Sequence, residues 1–443
     1  MSIQLSSHFT YKKLFYFCLS PIIMMIFTSI YGVVDGFFVS NFVGKVPFAA
    51  VNLVMPFIMI LGGVGFMIGT GGSALIAKTL GEGKQEQANC YFTMLIKLTV
   101  VLGIFLSLAG ILFIRPISYL LGATEAMIEN CVVYGRIVLA FNTAFMLQNV
   151  FQTFLAAAEK PKLGLAVTTA AGVSNMILDA LFIGVFQWGV AGAAIATGIG
   201  QCIGGLLPLI YFSRPNSSRL RLKKSGIDGR ALAKACANGA SELMSNISAS
   251  LISVIYNLQL LRFAGENGVA AYGTIMYIQF IFLAIFIGYT IGTGPIISYH
   301  YGAGNHRELK NLLKKSLILV SAAGIAMMAV AWALSSPLSK VFVGYDKELF
   351  EMTKHAFRMF AFSFVLAGVN IFASAFFTAL NNGGVSAAIS FMRTLVFQII
   401  SVLVLPIFLG LDGIWYSITV AEVLAFGVSL IFLVLNRRKY HYG

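Results

Sequence analysis

A stretch of this chain recurs half a chain-length later. Gly71-Gly72-Ser73-Ala74-Leu75-Ile76-Ala77, closing at Gly81-Glu82-Gly83, returns 221 positions on as Gly292-Thr293-Gly294-Pro295-Ile296-Ile297-Ser298, closing at Gly302-Ala303-Gly304. Ala49-Ala50-Val51 meets Ala270-Ala271-Tyr272 at the same offset, and Phe154-Leu155-Ala156-Ala157 is echoed by Phe376-Phe377-Thr378-Ala379. An internal repeat of this length requires two homologous halves, and in an apolar chain it points to a central cleft between them.

The chain is apolar throughout. Hydrophobic residues make up 58% of the 443 positions and charged residues 10%, with a mean hydropathy of +0.88, whereas soluble domains carry about 25% charged residues. Twelve stretches approach or exceed the roughly 20 apolar residues that a helical span needs. They fall near 14–40, 48–77, 91–114, 126–156, 163–186 and 190–212, then 236–261, 269–299, 312–335, 349–379, 385–409 and 413–435. Backbone polar groups in hydrocarbon must be satisfied within the segment, so the spans are helices.

An even number of spans per half makes both halves enter the bilayer from the same side, related by an axis along the membrane normal. The expected fold is therefore an all-α membrane protein: twelve transmembrane helices in two six-helix lobes with a pseudo-two-fold and a central cleft. The expected domains are an N-terminal lobe at 1–212, a basic linker at 213–235 broken by Pro215, and a C-terminal lobe at 236–443. The first span follows Lys12 and Lys13, exceeds a signal-peptide core in length and lacks a small-residue cleavage site, so it is expected to be retained.

A net charge of +14 could suggest nucleic acid, but its distribution decides otherwise. Lys12, Lys13, Lys78, Lys84, Lys160, Lys162, the basic residues of the linker and Arg437-Arg438-Lys439 share one side, whereas the other side holds Lys45, Arg115, Arg262, Lys340 and Lys347. This is the positive-inside bias; it places both termini in the cytoplasm of a multi-pass cell (plasma or inner) membrane protein whose basic face meets anionic lipid. No nucleic-acid partner and no obligate protein partner is implied.

Five cysteines without CxxC spacing predict neither a disulfide nor a metal cluster. No GxxxxGK[ST] loop and no HExxH motif occurs, and the five His are scattered, so neither ATP hydrolysis, an enzyme activity nor an organic cofactor is expected. Gly69-Thr-Gly-Gly and Gly292-Thr-Gly suit tight helix packing or bending better than phosphate binding.

Acidic residues inside spans carry the sharpest signal, since an Asp at a helix centre costs about 2.5 to 3.5 kcal/mol on insertion scales. Asp35 and Asp179 each sit about two turns from the same end of an outward-running span, with no charged neighbour in their own helix. Asn175 shares the face of Asp179, and Thr197 reaches comparable depth on the following span. Four polar groups from three helices at one depth can form a single site; the alternative is helix packing through hydrogen bonds. In the second half, aligning the turns opposes Leu403 to Asp179, leaving Asn370 and Arg393 as the polar features.

Glu242 near the start of span seven has two readings, a carboxylate suited to a helix N-terminus or a cation contact in the cleft, with Asn246 on its face. Tyr31, Met55, Gln148, Gln152, Tyr256, Asn257, Met276 and Gln279, with Asn370, are the remaining candidates to line that cleft. Aromatic and thioether walls with few carboxylates suit flat lipophilic organic cations as small-molecule partners.

Several runs together resemble a known family. The two glycine motifs, Val33-Val34-Asp35-Gly36-Phe37-Phe38-Val39-Ser40, Asn175-Met176-Ile177-Leu178-Asp179 and Gly189-Val190-Ala191-Gly192-Ala193-Ala194-Ile195-Ala196-Thr197 are similar to the multidrug and toxic compound extrusion (MATE) family. Ser241-Glu242 and Tyr299-His300-Tyr301-Gly302-Ala303-Gly304-Asn305 are closer to its DinF/MepA-like branch than to the NorM branch.

The resemblance implies a secondary active exporter that exchanges inward H⁺ or Na⁺ for lipophilic organic cations by alternating access. It implies that Asp35, Asn175, Asp179 and Thr197 take the coupling cation, with no metal beyond a Na⁺ there. The NorM-type carboxylates of spans seven and ten correspond here to positions near Leu251 and Asn370, which departs from a sodium site in the second half. Two other readings stay open: a flippase for a lipid-linked saccharide, which needs a cationic cleft, and a membrane-embedded enzyme, which needs converging acid, base or metal residues.

Overall fold

A computed structural model describes residues 3–344 and 346–442. Within these residues the chain is helical, with short turns and one longer connection. Helices α1 (Tyr11–Phe42), α2 (Lys45–Gly81) and α3 (Gln85–Leu120) each cross once. The fourth span is a bent pair, α4 (Glu125–Ala140) and α5 (Asn142–Ala157), turning by 54°. Helix α6 (Pro161–Asp179) continues through a π-helical stretch, Ala180–Val185, and α7 (Gly189–Ser213) ends the first half.

The 74-residue α8 (Gly229–Gly302) is two spans joined at Gly265, whose φ of 59° and ψ of −150° break the helix. Then follow α9 (His306–Val343), a second bent pair, α10 (Lys347–Ala361) and α11 (Phe364–Ala379), turning by 49°, and α12 (Gly383–Phe391). A π-helical stretch, Met392–Val396, leads into α13 (Phe397–Leu409), and α14 (Leu411–Asn436) closes the chain. Among the described residues nine helices are long and apolar enough to cross a membrane, and the bent pairs raise this to eleven. Counting α8 as two gives the twelve spans expected.

The backbone repeats with the sequence. Gly44 (φ 110°) and Gly265 (φ 59°) mark the turn between the first two spans of each half, and Gly83 (φ 78°) and Gly304 (φ 65°) mark the next, all 221 positions apart. Glu159 (φ 60°) and Asn381 (φ 57°) take the same left-handed conformation after spans four and ten, at a steric cost of about 1–2 kcal/mol for a residue with a Cβ. The duplicated architecture therefore extends to its strained positions.

One boundary differs from expectation. Helix α8 starts at Gly229, capped by the Asp228 carboxylate, which accepts from the Arg230 and Ala231 amides. The non-helical connection is thus residues 214–228. It is held along α3: the Arg221 amide donates to Asn89 Oδ1 at 3.0 Å, the Lys223 amide to Thr93 Oγ1 at 3.0 Å, and Lys223 pairs with Glu86. A loop of this polarity satisfies its backbone against a helix end instead of remaining a free tether.

This connection, the described segments 3–10 and 437–442 and the turns at 82–84, 158–160, 303–305 and 380–382 lie on one face, here termed the terminal face. There the halves meet through glycines. A Cβ on Gly71 would strike the Ala235 carbonyl and one on Gly239 the Met67 carbonyl; Gly81 and Gly302, repeat mates, likewise meet each other's helix backbones. The mate of the Gly71–Gly239 contact is Gly292 against Cys18. Such approaches let helices pack without a hydrophobic driving force in lipid.

A side chain at this crossing is expected to force the halves apart. Gly81→Leu should lower the unfolding midpoint in detergent, by the equivalent of at least the 1–3 kcal/mol typical of overpacking, whereas Gly36→Leu, with nothing within 4 Å of its Cβ, should leave it unchanged. Equal midpoints for both variants would refute this close crossing.

Candidate functional site

The apolar core of the first half is split. One cluster, including Phe92, Phe151, Phe154 and Phe212, lies toward the terminal face, and another, including Val39, Ile58, Ile114 and Val138, toward the opposite face. A polar layer lies between them. It borders a cavity whose lining includes Tyr31, Asp35, Met55, Gln148, Gln152, Asn175 and Thr197. These side chains come from α1, α2, α5, α6 and α7, and of the four residues expected at one depth Asp35, Asn175 and Thr197 line the cavity together. Asn149 and Gln201 also line it; in the sequence Asn149 adjoins Gln148, and Gln201 follows Thr197 by one helical turn.

Asp179 is fully buried behind this wall, at the point where α6 passes into its π-helical stretch. Its carboxyl and that of Asp35 are close enough for each charge to act on the other, with Thr197 beside Asp35. Asp35 Oδ1, both Asp179 oxygens, both Asn175 side-chain atoms and Thr197 Oγ1 are buried without a hydrogen-bond partner among the described residues. Two neighbouring carboxyl groups repel when both are charged, and a cation bound between them relieves that repulsion. The free oxygens of Asp35, Asp179, Asn175 and Thr197 are hard donors, chemically suited to either H⁺ or Na⁺.

A second, narrower cavity lies between the halves. Glu242 from α8 lines it with hydroxyls of Thr70, Ser73, Thr153, Thr290 and Thr378, and no Lys or Arg is among its described lining residues. Phe66 belongs to the wall of both cavities. Asn246 turns its amide back to the Glu242 carbonyl at 3.0 Å.

Other candidates lie elsewhere. Tyr256 is buried in the core of the second half, stacked on Tyr272 with centroids 5.1 Å apart and donating to Gln398 Oε1 at 2.9 Å. Met276 packs against the same core. Asn257 and Gln279 are half-buried and line neither cavity.

Asn370 and Arg393 are not the whole polar content of the second half. Glu422 of α14 joins them: Arg393 Nη2 lies 2.7 Å from Glu422 Oε1, Arg393 Nε donates to both carboxylate oxygens at 2.9 and 3.0 Å, and Asn370 Nδ2 donates to Oε2 at 2.7 Å. Ser429 Oγ donates to Asn370 Oδ1 at 3.1 Å. A lone Glu in an otherwise apolar span was the signal available in the sequence. In the fifth and the eleventh span alike, the charged residue sits at the π-helical stretch, a local widening that often accompanies functional sites.

A duplicated twelve-span fold with polar cavities inside one lobe and between the lobes defines a membrane transporter. The MatE family profile matches this chain twice, over residues 21–181 and 243–404, and the chain belongs to that family. It is 23% identical over 435 residues to the multidrug export protein MepA of Staphylococcus aureus (strain MRSA252), covering 97% of this chain and 94% of that protein. MepA of Staphylococcus haemolyticus (strain JCSC1435) is 24% identical over 432 residues, with the same coverage. A solved outward-facing conformation of a multidrug resistance MATE family transporter of the MOP superfamily has the same fold, with a TM-score of 0.93 at 22% identity over 100% of this chain and 99% of that one.

The Arg393–Glu422 pair generates a stability prediction. Arg393→Met or Glu422→Met alone should cost about 3–5 kcal/mol by stranding a buried polar partner, while the double replacement Arg393→Met/Glu422→Met should recover most of it. Unfolding midpoints of the four proteins form the cycle, and additive losses would show the two residues to be uncoupled.

Proposed function

We propose that this chain is a secondary active multidrug exporter that exchanges an inward-moving H⁺ or Na⁺ for lipophilic organic cations by alternating access. The observation that carries the reading is the proximity of Asp35 and Asp179, both buried and, among the described residues, in no salt bridge. Taking up a cation changes the charge of that site, and an equilibrium between two arrangements of the lobe responds to such a change. One charge crossing 100 mV releases about 2.3 kcal/mol, enough for roughly a fiftyfold substrate gradient.

The central cavity supplies the substrate side. Glu242 and the surrounding hydroxyls present negative potential and hydrogen-bond acceptors, which favours organic cations. The flippase reading is less well supported, because Arg393 is already neutralised by Glu422 and offers no free cation to a pyrophosphate. The names of the MepA relatives agree with export of drugs. The terminal face is taken as cytoplasmic, from the charge bias of the loops.

In proteoliposomes with ΔpH and ΔNa⁺ imposed separately, one gradient should drive uphill export, and Asp35→Asn or Asp179→Asn should abolish it at unchanged protein level. Undiminished uphill export by both variants would sink the coupling assignment. For the substrate side, Glu242→Gln should reduce efflux of a cationic dye relative to a neutral one, since removing one charge from a poorly hydrated cavity weakens an attraction that water does not fully screen; an unchanged ratio would leave Glu242 a structural residue. For orientation, a cysteine at Ser217 in a cysteine-free background should resist impermeant thiol reagents in intact cells while one at Lys347 reacts, and the opposite pattern would invert the topology.

A further inference from the structure

A third cavity opens on the terminal face between the start of α1 and the start of α6. Lys12, Lys13, Lys160 and Lys162 line it, with Tyr16 and Phe17 forming apolar wall. Its one carboxylate, Glu159, is already engaged, accepting from the Leu5 amide at 2.8 Å and pairing with Arg219 at 3.4 Å. None of the four lysines pairs with a carboxylate among the described residues: Lys160 Nζ donates to Ser217 Oγ at 3.0 Å and Lys13 Nζ to the His8 carbonyl at 3.4 Å. The concavity therefore gathers four cations with their charge unspent.

The flank of α1 above it is apolar and exposed. Tyr16, Ile23, Ile30 and Phe37 recur every seven residues and so share one side of the helix. From Tyr16 to Phe37 the helix rises about 32 Å, against a hydrocarbon core of about 30 Å. A cationic bowl at one end of a membrane-depth apolar stripe has the shape and charge of a ligand with an anionic head and long acyl chains. We infer that this cavity is a binding site for an anionic phospholipid of the terminal-face leaflet, with its phosphate among the four lysines and an acyl chain along α1.

Positive loops on a cytoplasmic face attract anionic lipid diffusely; what separates this site is convergence on a single cavity. The proposal stands independently of the transport reading, because occupancy is measured without transport. The purified full-length protein would be examined by native mass spectrometry after exchange into phosphatidylglycerol or phosphatidylcholine. Retention of phosphatidylglycerol should exceed that of phosphatidylcholine, and Lys12→Gln and Lys162→Gln should each weaken it about fivefold, as expected for one lysine at a membrane surface. The exposed pair Lys310→Gln and Lys314→Gln, on the same face but outside the cavity, should leave it unchanged. The quadruple variant Lys12→Gln/Lys13→Gln/Lys160→Gln/Lys162→Gln should lose the preference, and the single variants keep the test decisive if it fails to fold. Equal retention of both lipids by the wild type, equal losses in the Lys310 and Lys314 variants, or displacement by millimolar glycerol phosphate would overturn the assignment, the last by making the ligand a free phosphate ester.

Discussion

The close passage of backbone against backbone at Gly71–Gly239 and Gly81–Gly302 is the constraint on which the rest of the molecule depends. In lipid, apolar side chains gain little by leaving the acyl chains for one another, so helices associate through close van der Waals approach. Gly81 and Gly302 are repeat mates that meet each other, so the pseudo-two-fold axis passes through this crossing. A contact on the axis is made from one residue type used twice, and duplication of the chain supplies both partners. Around it the terminal face gathers its polar clasps. The N-terminal segment bridges the halves, its Leu5 amide on Glu159 and its Phe9 amide on Glu308 at 2.9 Å, and Lys78 and Arg219 lie over the Tyr301 and Tyr299 rings.

Much of this was legible in the sequence, for physical reasons that apply unevenly. A span is announced by its length in apolar residues, and a repeat by identical glycines at one offset, because no other residue allows those crossings. The convergence of Asp35, Asn175 and Thr197 on one cavity followed from depth alone, since each helix rises by a fixed amount per residue. Depth carries no information about rotation, however. Tyr256 and Gln279 have side chains suited to a cleft, yet one turns into the core and the other lines neither cavity. The strap-like path of 214–228 was illegible too, because it depends on tertiary hydrogen bonds to Asn89 and Thr93. Glu422 was overlooked because alignment of the two halves directs attention to matched positions, and its partner Arg393 lies on another helix.

The two halves share a backbone but treat charge in opposite ways. In the second half, Arg393 and Glu422 neutralise each other, and Asn370 and Ser429 complete the hydrogen bonds. Such a group carries no net charge, and its acceptors are occupied. In the first half, two carboxyl groups face each other beside an unpartnered amide and hydroxyl, an arrangement whose energy depends steeply on whether a cation is present. On the proposed reading, duplication thus yields one lobe that holds its shape and one that can respond. Phe66 stands in the wall between the responsive cavity and the central one. On the proposed reading, a change of charge at Asp35 and Asp179 needs to move no more than the helices that carry this ring to alter what the central cavity can hold.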